Sequence, residues 1–67
     1  MYNTEENGKR LLALRGKKSR EEVALAAGIS ASALAMYESG ERNPRDTVKV
    51  SLAKYYGVPV SEIFFAG

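Results

Sequence analysis

From Ser19 to Gly40 the chain reads S-R-E-E-V-A-L-A-A-G-I-S-A-S-A-L-A-M-Y-E-S-G, and this stretch leaves few folds open. Ser19 and Ser30 each stand where a helix N-cap belongs, with a hydroxyl to accept from the unpaired N–H groups of a first helical turn. Gly28 and Gly40 stand where each segment must stop, on the left-handed backbone that commonly ends a helix. Glu22, three residues after Ser19, completes a capping box, and both Glu21 and Glu22 favour the positive end of the helix dipole. Val23, Ala24 and Ala27 form the inner face of the first segment, and small Ala24 lets the next helix cross closely. Leu34 and Tyr37 form the inner face of the second segment, with Ile29 pinning the turn between them. Two short helices and a tight glycine turn are therefore expected at the centre of the chain.

The remaining sequence supplies what these two helices pack against. At 67 residues with 45% hydrophobic side chains, the chain suits one all-α domain spanning 1–67 around a single core. Five helices are expected, at about 5–15, 20–27, 31–39, 46–56 and 60–65. The first carries Leu11 and Leu14 inward and Lys9 and Arg10 outward, with Thr4 as its cap and Gly16 as its stop. Gly8 weakens it by about 1 kcal/mol relative to alanine. E-R-N-P-R-D at 41–46 breaks helicity, because Pro44 disfavours helical geometry at Asn43. Asp46 is the expected N-cap of the fourth helix, which carries Val48, Leu52, Tyr55 and Tyr56 and stops at Gly57. Val58-Pro59-Val60 turns the chain into a last helix with Ile63 and Phe64. Adjacent helical residues cannot both point inward, so Tyr55 and Phe65 are the more exposed of their aromatic pairs. Exposed aromatics of this kind are candidate contacts for a second copy of the chain. Leu12 has no evident place in this scheme.

Several function classes fall away on composition. Cysteine and histidine are both absent, which removes thiolate metal sites, disulfides and the commonest general base. No clustered carboxylates and no phosphate-binding loop are present, so neither an enzyme nor a cofactor or metal site is expected. No apolar run approaches the length of a membrane span, and M-Y-N-T-E-E is no signal peptide, so a cytoplasmic protein without a membrane partner is expected.

Charge is unevenly placed. Residues 1–20 hold Lys9, Arg10, Arg15, Lys17, Lys18 and Arg20 against Glu5 and Glu6, whereas residues 21–40 hold only Glu21, Glu22 and Glu38. A basic patch at the entry to a helix-turn-helix suits the phosphate backbone of double-stranded DNA, whose major groove admits the second helix. Lys17, Lys18 and Arg20 are the cations best placed for it, at a helix end whose free N–H groups already favour phosphate. Tyr37 packs inward but its hydroxyl is within reach of a phosphate.

Four stretches then carry a resemblance: G-K-R-L-L-A-L-R at 8–15, S-R-E-E-V-A-x3-G-I-S at 19–30, Y-E-S-G-E-R-N-P at 37–44 and A-K-Y-Y-G-V-P-V-S-E-I-F at 53–64. In this order and spacing they resemble the Cro/repressor-like helix-turn-helix family of small phage and bacterial transcriptional regulators. The resemblance implies a five-helix lambda-repressor-like domain, with the helix-turn-helix in helices two and three, that binds operator DNA as a homodimer. It implies a recognition helix at about 31–39, with Arg20, Ser30, Ala31, Ser32, Ala35 and Met36 at positions that meet DNA. The loop Glu41-Arg42-Asn43 is implied to touch phosphates, and Arg15 and Glu38 are implied to form a structural ion pair. Two departures stand out. The first connection, L-R-G-K-K-S, is about two residues shorter than the common form, which brings Lys17 and Lys18 closer to DNA. Arg20 also replaces the usual glutamine, which keeps a phosphate contact and adds charge, or reaches a guanine edge instead.

The outer face of the expected recognition helix is poor in base-reading chemistry. Bidentate readout uses Arg, Lys, Gln or Asn, whereas Ala31, Ala35 and Met36 offer only apolar contact with thymine methyl groups and Ser32 a single hydroxyl. Specificity would then rest on such contacts, on Arg20 and on DNA deformability. A protein-interaction module, such as an antitoxin or co-regulator with a protein partner, is the alternative on the same fold.

Overall fold

The computed structural model describes residues 4–64, which form five α-helices. These are α1 (Thr4–Arg15), α2 (Arg20–Ala27), α3 (Ala31–Ser39), α4 (Asp46–Tyr56) and α5 (Val60–Phe64). Helix α1 packs on α3 and α5, α2 packs on α3 and α4, and α4 closes against α5. Leu11, Val23, Leu34, Leu52, Ile63 and Phe64 are the largest fully buried side chains, so every helix contributes to one core. Leu14, Ile29, Tyr37, Val48, Tyr55 and Tyr56 surround it half-buried.

Local hydrogen bonds set the ends of the central helices. The Ser19 hydroxyl accepts from the Glu22 N–H at 3.1 Å and the Ser30 hydroxyl from the Ala33 N–H at 3.0 Å. Gly28 and Gly40 lie at φ +74° and +83°, where a β-carbon is strained. The residue after each glycine then returns to the helix, Ile29 N–H to the Ala24 carbonyl at 2.9 Å and Glu41 N–H to the Met36 carbonyl at 3.0 Å. This is the Schellman pattern, and α4 ends the same way through Val58 and Ala53.

Four local expectations need correction. Thr4 lies within α1 rather than capping it. Helix α4 is capped by the extended Arg45, whose carbonyl accepts from the Lys49 N–H at 2.9 Å. Asp46 lies just inside that helix, where its charge favours the dipole without a capping bond, 3.6 Å from the Lys49 ammonium. Arg10 does not simply point outward. It is half-buried, and its Nη1 donates to the Ile63 carbonyl at 3.3 Å, tying α1 to α5. Gly8, finally, is a contact site as well as a weak helix former. An added β-carbon there would stand 2.8 Å from the Tyr37 carbonyl oxygen and closer still to that of Glu38, so the backbones of α1 and α3 touch.

Candidate nucleic-acid interface

Helix α3 is anchored by two buried side chains, Leu34 and Glu38, four residues apart on its inner stripe. Its other face presents Ser32 exposed and Ala35 and Met36 partly exposed, whereas Ala31 lies on the inner stripe with Leu34 and packs against the core, away from the face expected to meet DNA. Ser30 is exposed at the cap, with its oxygen already accepting from Ala33, so its remaining capacity is as a donor. Tyr37 is half-buried and packs on the core. After α3 the chain exposes Glu41, Arg42 and Asn43, while buried Pro44 fixes the far end of the loop. The Arg42 N–H bonds the Met36 carbonyl at 3.4 Å, which holds the start of this loop against the helix end.

Glu38 organises the other edge of the site. Its side chain is 1% exposed and receives two arginines, Arg15 Nε on Oε2 at 2.7 Å and Arg20 Nε on Oε1 at 2.8 Å. The ion pair implied by the resemblance is therefore part of a triad. The partner that sequence reasoning missed is Arg20, read there as a cation free to meet DNA. No local spacing signals this pairing, because it depends on how α2 crosses α3. Two guanidinium groups around one buried carboxylate leave a net charge of +1 and satisfy the carboxylate on both oxygens.

The short connection between α1 and α2 is held by the same arginine. Arg15 Nη1 donates to the Lys18 carbonyl at 2.7 Å, and the Lys18 N–H returns to the Arg15 carbonyl at 3.0 Å. Lys17 and Lys18 are exposed, but the Lys18 ammonium lies 5.0 Å from the Tyr55 ring centroid, a cation–π distance. Tyr55 also stands edge-on to Tyr56 at 5.3 Å, and its hydroxyl donates to Glu22 Oε2 at 3.3 Å. The Glu22 carboxylate is thus engaged with α4, and the bond seen in the expected capping box is the one through its N–H.

Tyr55 is half-buried and lines a shallow groove between α2 and α4 with Ala26, Ser51 and Lys54. Leu25 and Val50 are the large apolar side chains most open to solvent, at 83% and 53%. Phe65, the other expected contact for a second copy, lies outside the described residues. Tyr56 has its hydroxyl oxygen buried without a partner, and burial, with the nearby Glu38 charge, pushes its pKa up to about 12. Among the described residues no group of side chains is arranged to hold a metal ion, and no helix is long and apolar enough to cross a membrane.

Comparison with known proteins matches residues 9–63 to the helix-turn-helix family. The cryptic phage CTXphi transcriptional repressor RstR of Vibrio cholerae is 38% identical over 45 residues, 67% of this chain and 40% of that protein. The chain thus spans about two fifths of the length of that relative. Among solved structures, the restriction-modification controller protein C.AhdI from Aeromonas hydrophila superposes with a TM-score of 0.83 at 30% identity. That match covers 91% of this chain and 96% of the other.

Proposed function

This chain belongs to the helix-turn-helix family, and from that premise we propose that it binds double-stranded DNA as a transcriptional regulator, most simply a repressor. The observation that carries the reading is an open α3 face together with exposed cations just before α2 and just after α3 in the chain. Ser32, Ala35 and Met36 face outward from a helix locked by Leu34 and Glu38, Lys17, Lys18 and Arg20 flank the start of α2, and Arg42 follows α3. In this reading α3 enters the major groove, Ser30, Ser32, Ala35 and Met36 meet bases or the groove wall, and Arg42, Asn43 and Tyr37 meet backbone phosphates. The protein is a binding module rather than an enzyme.

The protein acts as a homodimer on a pseudopalindromic operator, with Tyr55 and Phe65 at the contact between copies. The groove beside Tyr55 and the open side chains of Leu25 and Val50 support a surface of this kind on the α2–α4 side. Selection of bound sites from random duplex DNA tests both halves of the proposal. The expected result is a two-fold motif with half-site centres about 34 Å apart, one helical turn, and affinity that falls steeply with salt. Enrichment of no motif together with salt-independent binding would overturn it.

A second reading is favoured by one specific observation: none of the outward residues of α3 carries a bidentate donor. On that reading α3 faces a protein, as in an antitoxin or a co-regulator. Arg42→Glu, at an exposed loop position, separates the two, because it abolishes regulation that depends on DNA and leaves activity through a protein partner intact.

A further inference from the structure

Arg15 and Arg20 both give their Nε–H to Glu38, yet they are spent very differently. Arg15 is 16% exposed and uses its terminal Nη1 on the Lys18 carbonyl, so its guanidinium is consumed by the fold. Arg20 is 44% exposed, and its Nη groups have no hydrogen-bond partner among the described residues. A guanidinium carries five N–H donors, one on Nε and four on the two Nη atoms. With the Nε edge taken by Glu38, the end-on fork of Arg20 is what remains to meet a ligand.

We propose that Glu38 is a positioning residue that aims the Nη fork of Arg20 at a DNA backbone phosphate. The inference rests on the DNA-binding reading above and adds a role for a carboxylate that a charge count alone would regard as unfavourable. Two considerations select phosphate over a base edge. The tether at 2.8 Å runs to a side chain that is itself 1% exposed, so the guanidinium is held close to the protein surface. Phosphates rim the groove, whereas base edges lie about 8.5 Å deep in it. A fork already fixed in the plane of its salt bridge also loses less rotamer freedom when it binds.

The arrangement separates aim from charge, which makes it testable with a short random-sequence duplex as the probe. Fluorescence anisotropy between about 50 and 200 mM salt gives affinity and salt slope, and circular dichroism gives the folded fraction of each variant. Arg20→Gln is expected to weaken binding about tenfold and to flatten the slope of log K against log salt by about 0.9. Arg20→Lys keeps the charge but has no separate Nε–H and fork, so it is expected to lose nearly as much affinity. Glu38→Gln adds a unit of positive charge yet is expected to weaken binding of the folded protein. In an Arg20→Gln background the same change is expected to do nothing further.

Arg20→Lys binding like the wild type would overturn the proposal, as would an equal effect of Glu38→Gln in both backgrounds, the mark of a merely structural role. Should Glu38→Gln fail to fold, Arg20→Lys decides alone, with circular dichroism first showing that the variant folds as the wild type does although Glu38 has lost the Arg20 Nε–H. Failure of the wild type to bind any duplex would remove the DNA reading itself. Wild-type binding with Arg20→Gln unchanged would remove only the assignment of Glu38 and Arg20.

Discussion

Replacing Gly8 with alanine sets two physical effects of opposite sign against each other. In an exposed helix interior the change stabilises by about 1 kcal/mol, because alanine loses less backbone entropy on folding. Gly8, however, is buried, and its new β-carbon would fall 2.8 Å from the Tyr37 carbonyl oxygen and nearer still to that of Glu38. Neither neighbour is the end of a flexible side chain. Relief requires α1 to move off α3, which also stretches the 2.7 Å bond between Arg15 and Glu38. Overpacking of this kind costs about 1–3 kcal/mol, and rigid backbone partners put it near the upper end. The net expectation is a loss of about 2 kcal/mol, or a fall in Tm of about 8–16 °C for a domain this small. Thermal melts followed by far-ultraviolet circular dichroism measure it directly. Ala13→Gly, at an exposed site in the same helix, is the control for propensity and should lose about 1 kcal/mol. A Gly8→Ala protein that melts at or above the wild-type temperature would refute the close approach of the two backbones.

Other perturbations read separate parts of the structure. Ser30→Ala removes the hydroxyl that accepts from Ala33, so urea unfolding should show a loss of about 1 kcal/mol. Leu25→Glu, at an 83% exposed site, should leave the melting of dilute protein within about 0.5 kcal/mol of wild type; a larger loss would mean Leu25 is buried in the folded chain. Tyr56 is expected to ionise near pH 12, against an ordinary value of 10.0. The folded state therefore holds this proton where the unfolded chain releases it, and the stabilisation is complete below about pH 10 and lost as pH rises towards about 12. Absorbance at alkaline pH should show a late-titrating tyrosine component from Tyr56 in the folded protein. Tyr56→Phe should remove that component and, having no buried hydroxyl to leave unpaired, keep its stability at neutral pH.

What was legible in the sequence was local. The caps at Ser19 and Ser30 and the stops at Gly28, Gly40 and Gly57 are decided by bonds that close within six residues, so the sequence order alone implies them. Asp46 was misread because an acidic residue serves equally as a cap or as a first-turn charge, and only the backbone of Arg45 distinguishes the two. Crossings were not legible. The Arg20–Glu38 bond, the tie from Arg10 to Ile63, and the Gly8 contact all join residues at least 18 positions apart. They depend on interhelical angles that no periodicity encodes. The basic patch was visible as a composition bias, but its division into spent and unspent guanidinium groups was not.

Helix α3 is held in place by Leu34 and Glu38, and the residues it turns outward take almost no share in that grip. On the proposed function, attachment and reading are thereby assigned to different letters of the same nine-residue word. On that reading, drift in sequence at positions 32, 35 and 36 would change the preferred site while the domain that carries the helix folds as before. A lineage of such proteins would diversify its targets faster than its architecture. A combinatorial library at those three positions would sample new targets on a scaffold that stays constant.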